Sequence, residues 1–314
     1  MKIISKFLLL LFITCSCHLG TAQINKNKAL DDMIQLGMKG WKVPGLTTVV
    51  VKDGEVVFKE VYGVKNLKSQ TPVNGETLFS MASTTKAIVS MALGILVDQG
   101  KLSWEDKVQK HLPDFQLSDA YITREARIKD LLTHNLGIKQ ADLLWAMDSI
   151  STKETLKRFS RVEKGYPIRG GYAYNNLMYA VAGEVIAAVS GKDWGTFVEE
   201  HILKPLNMSR TLTSSQNIYK SGNYATPHDN DPELGTFKVA HTLSDQIGSA
   251  GMMWSSADDI GNYLKFLVNE GVYGSDTLIK PATFRYLFKP QALVTVSGFY
   301  PTQKLTNPSW RTYG

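Results

Sequence analysis

Ser83-Thr84-Thr85-Lys86 sets a hydroxyl and an amine three residues apart. On a helix such positions share a face, with Cβ atoms about 5–6 Å apart, so the amine reaches the hydroxyl. A serine hydroxyl is a weak nucleophile until a neighbouring base takes its proton. Lysine is such a base only when its pKa falls well below its ordinary value of about 10.4. Burial lowers it, and so does a second positive charge. Lys86 stands on the segment 84–99, where Ala87, Ile88, Val89, Met91, Ala92, Leu93, Ile95, Leu96 and Val97 cover every side of a helix. A helix apolar all round and too short for a bilayer is a central buried one. Ser83 would open that helix, where free N–H groups favour developing negative charge and its own N–H supplies one oxyanion donor. The spacing alone also arises by chance about once or twice in such a chain, as a serine cap followed by a surface lysine.

Tyr174-Asn175-Asn176 precedes a second helical stretch, 176–190. A phenol beside an ammonium loses its proton more easily and can act as a base. An asparagine amide both donates and accepts, so Asn176 can hold a substrate amide and the lysine together. The alternative is a packed tyrosine followed by an Asn176 helix cap. Other chemistries lack their motifs. The six histidines show no H-x-H or H-E-x-x-H spacing, and G-x-S-x-G, G-x-x-x-x-G-K-[ST] and G-x-G-x-x-G are all absent. No metal and no cofactor is therefore expected.

The elements that position these residues begin with a helix over 29–39, ended by Gly40. A strand over 47–51, an Asp53-Gly54 hairpin turn and a returning strand over 56–62 follow. After the central helix, which Gly100 ends, come 176–190 closed by Gly191, then 194–203. A helix over 258–269 has Ser256 as its cap. With 43% hydrophobic and 20% charged residues, the chain has an ordinary globular balance rather than a disordered one. Lys2, Lys6, the apolar run 7–13 and the small residues up to Ala22 read as a secretory signal, 1–22. The run falls short of the about 20 residues a membrane span needs. Cys15 and Cys17, the two cysteines, lie in this leader, so a disulfide framework and a thiol nucleophile are excluded from the mature chain. Lipid attachment at either cysteine fits less well. The net charge of +6 is scattered, with no dense basic run, so nucleic acid is not the expected partner. The expected location is periplasmic or secreted, without a stable membrane span after cleavage.

Together the two motifs resemble the first two of three in the serine β-lactamase and penicillin-binding-protein superfamily, S-x-x-K and Y-x-N. Also similar are Gly100-Lys101-Leu102-Ser103, Leu131 to Ile138, Tyr172 to Tyr179, Ala182-Gly183-Glu184, Pro205-Leu206-Asn207-Met208 and Gly251 to Asp259. The likeness covers nearly all of 23–314 and is nearest the class C-like branch. It implies an α+β, β-lactamase/transpeptidase-like fold: an antiparallel sheet flanked by helices, plus a mostly helical subdomain over about 81–240. It also implies a hydrolase cleaving a small-molecule or peptide amide, β-lactam or ester. Ser83 would be the nucleophile, Lys86 and Tyr174 the proton shuttles and Asn176 the substrate-orienting group. Asn207 stands where many relatives have Gly, and His134 is expected to be a structural turn residue rather than a catalyst. The family's third motif, Lys/His-Thr/Ser-Gly on a late strand, does not follow residue 300. Lys220-Ser221-Gly222 comes too early, and His241-Thr242-Leu243 lacks the glycine. The expectation is an incomplete copy lacking its C-terminal strands. A non-catalytic cell-wall peptide binder, or an inactive truncated paralogue, is the alternative.

Overall fold

Two positive backbone angles, φ 52° at Asp53 and 79° at Gly54, fold the first hairpin. A two-residue turn of this kind matches the twist of its strands, and Asp-Gly adopts it cheaply. It joins β1 (Gly45–Lys52) to β2 (Glu55–Asn66), paired antiparallel from Gly45↔Gly63 to Lys52↔Glu55. The computed structural model describes residues 27–146, 150–241 and 245–294, and the backbone of 311–313. The leader read over 1–22 and most of the tail beyond 294 lie outside these residues. A helix over 27–41, here α1, precedes β1 and runs one residue past the Gly40 expected to end it. The short strand β3 (Thr71–Pro72), unseen in the sequence, pairs with β2 at Val64 and Asn66. Its proline stands at the sheet edge, where a missing N–H costs no ladder bond.

The helix α2 (Thr85–Asp98) buries Ile88, Val89 and every residue from Met91 to Leu96, as its all-round apolar pattern requires. Gly100, at φ 69°, ends it. It packs against α3 (Asn176–Ser190), the short helix Gly248–Gly251 and the helix Pro281–Leu287. Gly94 permits the close approach on that last side: a Cβ there would stand 2.7 Å from Ile279 Cδ1. The cap of α3 is Asn175, whose side chain accepts the Leu177 N–H. Asn176, read as the candidate cap, is instead the first helical residue, which frees its amide for other partners. Ser256 caps α4 (Ala257–Val268) as expected, accepting the Asp259 N–H, and α4 lies across β1. Asn207 adopts φ 55°, a left-handed angle that asparagine tolerates better than most residues other than glycine.

The expected α+β class holds: the helices supply most of the main apolar core, α4 packs on the antiparallel β1–β2 pair, and Leu78, Ile218 and Trp254 form a smaller second cluster. Two local differences appear. Residues His228–Asp231 and Gly235–Lys238 form a two-stranded hairpin, unread in the sequence, inside the mostly helical subdomain, turned by Asp231, which accepts the N–H groups of Glu233 and Leu234. The tail backbone Arg311–Tyr313 pairs antiparallel with Ala292–Val294. Leu93 is fully buried in the centre of α2. Leu93→Ala is expected to lower stability by about 2–5 kcal/mol, read as a lower urea midpoint at unchanged slope.

Candidate active site

The chain reaches the site on the two-residue strand Phe79–Ser80, paired with Trp254–Ser255. Met81 donates its N–H to Met253 O at 2.9 Å, which fixes the end of that strand. Ala82 then takes φ 43°, a left-handed angle that costs a non-glycine residue about 1–2 kcal/mol. The turn is held by Thr84, whose N–H and hydroxyl both donate to Met81 O, at 3.0 and 2.6 Å. This bend places Ser83 in a short 3₁₀ turn, exposed, just ahead of α2. The turn closes with the N–H groups of Thr84 and Thr85, leaving the Ser83 N–H outside its bonds.

One turn on, Lys86 is 3% exposed. Its Nζ donates to Ser83 Oγ at 3.0 Å, to Asn176 Oδ1 at 2.8 Å and to Ala250 O at 2.5 Å. It also lies 4.9 Å from the Tyr174 ring centre and 5.3 Å from that of Tyr179. Burial pushes its pKa down to about 8, against a smaller upward pull from the Asp142 carboxylate. Tyr174 donates its hydroxyl to Ser83 Oγ at 2.8 Å. All four sequence-selected residues, Ser83, Lys86, Tyr174 and Asn176, therefore meet at one point.

Tyr174 departs from its expected electrostatics. The sequence reading has Lys86 ease its ionisation, but the phenol is pushed up, because burial outweighs the hydrogen bond to Ser83 that lowers it. Its ring lies on His134, 4.3 Å between centres. His134 is buried, with backbone φ 55°, and its Nδ1 accepts the Asn175 N–H at 3.1 Å. Burial, then the charge of Lys86, drives its pKa down to about 3, so the ring stays neutral. That is the turn role expected for it.

Three participants were not legible beforehand. The Ala250 carbonyl is backbone and carries no residue-type signal. Asp142 sits in a loop with no motif, yet its Oδ1 accepts Asn176 Nδ2 at 3.0 Å and Trp145 Nε1 at 2.8 Å. Tyr179 falls one helical turn after Asn175, and only that spacing hints that it faces Lys86. Lys220-Ser221-Gly222 lies in a 3₁₀ turn ending at Gly222, not on a strand.

An α+β fold with Ser-x-x-Lys at the start of its central helix, faced by Tyr-x-Asn, defines the serine β-lactamase and penicillin-binding-protein superfamily. The family profile described as Beta-lactamase matches residues 30–303, and the chain belongs to this family. An unguisins hydrolase of Aspergillus violaceofuscus (strain CBS 115571) is 28% identical over 271 residues, covering 80% of this chain and 47% of its own. An N-acetylmuramyl-L-alanine amidase of Bacillus subtilis (strain 168) is 25% identical over 310 residues, covering 87% of this chain and 70% of its own. The octameric penicillin-binding protein homologue from Pyrococcus abyssi shares the fold, with a TM-score of 0.70 at 23% identity over 84% of this chain and 60% of that one. The chain spans about half the length of the first curated relatives it matches.

The depressed Lys86 pKa is also a statement about stability. An unfolded lysine keeps its proton up to about 10.4, whereas folded Lys86 releases its proton near 8. Between those values the unfolded state binds the extra proton, so stability rises with pH across that window. Urea unfolding from pH 7 to 10 is expected to show this rise in the wild type. Lys86→Met should lose that increment, while being at least as stable at pH 7. An unchanged slope in Lys86→Met would assign the titration to another group.

Proposed function

We propose that the protein is an exported serine hydrolase that cleaves an amide, β-lactam or ester through an acyl-enzyme on Ser83. The observation that carries this is the double hydrogen bond on Ser83 Oγ, from a lysine amine whose pKa lies near 8 and from a phenol held protonated. When Lys86 is neutral it has two N–H groups and one lone pair. Asn176 Oδ1 and Ala250 O are acceptors and retain the two N–H groups. The lone pair then faces Ser83, the one partner able to turn from acceptor to donor. Lys86 thus takes the Ser83 proton as Oγ attacks the substrate carbonyl. The Ser83 N–H lies where the oxyanion forms. On collapse, the bond to the leaving group breaks. Tyr174 gives its proton to that group and is reprotonated from Lys86. Water then hydrolyses the ester on Ser83 by the reverse proton path. The Asn176 amide retains one N–H to orient the substrate. Export rests on the leader pattern over 1–22, and the name of the amidase relative fits a cell-wall peptide substrate.

A fluorophosphonate probe on the full-length protein tests the reading. A covalent adduct is expected on Ser83, with none in Ser83→Ala. Its formation rate should climb with pH through about 8. Lys86→Met should slow it by about 10²–10⁴, the usual contribution of a general base. An adduct on another residue, or a rate indifferent to Lys86, would overturn the assignment.

A further inference from the structure

The Asp142 carboxylate touches none of the reacting atoms proposed above, yet it stands one hydrogen bond away from the base. Its Oδ1 accepts both Asn176 Nδ2 and Trp145 Nε1, and its Oδ2 accepts the Gln140 side-chain amide. The two ends of an asparagine amide are nearly the same shape, so partner chemistry decides which end faces which neighbour. While Lys86 is an ammonium it only donates, and so selects Asn176 Oδ1. Once Lys86 is neutral it can also accept, and its hold on the amide lapses just when the base is needed. A flipped amide would aim an N–H at the amine and draw its lone pair away from Ser83. A carboxylate only accepts, so Asp142 keeps Nδ2 turned toward itself in both states.

We propose that Asp142 is a positioning residue that locks the Asn176 amide with Oδ1 toward Lys86, so that the neutral amine keeps its lone pair on Ser83. Trp145 and Gln140 fix the carboxylate in turn. The inference rests on the reading of Lys86 as the base for Ser83. It has a second consequence, because the Asp142 charge favours the Lys86 ammonium. Asp142 therefore holds the direction of the base and also shifts upward, against the larger effect of burial, the pH at which it becomes one.

Two variants of the full-length protein separate these effects. Asp142→Asn removes the charge but leaves an oxygen that Asn176 and Trp145 can still use. Asp142→Ala removes the acceptor altogether. In both, the Lys86 titration, followed by ¹³C NMR of the lysine side chains, is expected to move to lower pH. The high-pH plateau of fluorophosphonate acylation should stay near wild type in Asp142→Asn and fall about tenfold or more in Asp142→Ala, the cost of a misdirected catalytic group. The Asn176 side-chain N–H signals should exchange slowly with water in the wild type and Asp142→Asn, and fast in Asp142→Ala. A wild-type plateau and slow exchange in Asp142→Ala would overturn the lock. Equal plateau losses in both variants with an unmoved Lys86 titration would reduce Asp142 to a structural role and overturn it too. The exchange readout needs no turnover. If the wild type forms no Ser83 adduct while exchange and titration respond as expected, the hydrolase reading fails and the lock stands.

Discussion

A lysine ammonium with almost no access to water is the constraint on which the rest of the site depends. Burying a charge is costly unless its hydrogen bonds are replaced. Here each of the three N–H groups meets an oxygen, on Ser83, Asn176 and Ala250, and two tyrosine rings offer their faces. Those oxygens come from three separate parts of the chain, so the turn at the head of α2, the start of α3 and the short helix Gly248–Gly251 must meet at one place. None of the three is a carboxylate. A carboxylate in direct contact would hold the ammonium charged far above neutrality. With neutral acceptors alone, burial prevails and the amine titrates near 8. The distant Asp142 trims that outcome without reversing it.

The same burial sorts the roles of the three titratable side chains. Desolvation disfavours whichever form is charged, so it lowers a lysine or histidine and raises a tyrosine. Lys86 moves down, Tyr174 moves up and His134 falls to about 3. The result is an amine that gives up its proton near 8, a phenol that keeps its proton and a neutral ring beside that phenol, which suits the proposed base and acid. Divergent pKa values in neighbouring groups are what acid–base chemistry at neutral pH requires. The neutrality of His134 matters in its own right. A second cation under Tyr174 would push Lys86 lower and pull the phenol down with it, blurring the division of roles.

The fold was legible where local chemistry is strong. The Asp53-Gly54 turn, the all-round apolar α2, the Ser256 cap and the Gly191 stop each follow from short-range rules. The 228–238 hairpin was missed because its strands are polar and short, with little alternation to read. Ser83, Lys86, Tyr174 and Asn176 were legible as two motifs, since each pair lies within one turn of chain. The electrostatics of Tyr174 were not. An ammonium beside a phenol suggested a charge effect, whereas burial, a property of the whole fold, decides the direction of its pKa.

Asp142 and His134 show the limit from the other side. Both belong to one loop, 133–142, whose opening reads as family-like text with a turn at His134 and whose far end carries no motif. The backbone of that loop turns at His134, which supports Tyr174 from beneath and takes the Asn175 N–H. Its far end brings Asp142 to Asn176. A single loop therefore braces both residues of the Tyr-x-Asn motif, one through ring contact and one through a carboxylate. Neither brace needs a particular spacing to its target along the chain, because α3 and the loop meet only in the folded state. The motif marks groups gathered around Lys86, and the loop, whose Asp142 end carries no sequence signal, braces them only once the chain has folded.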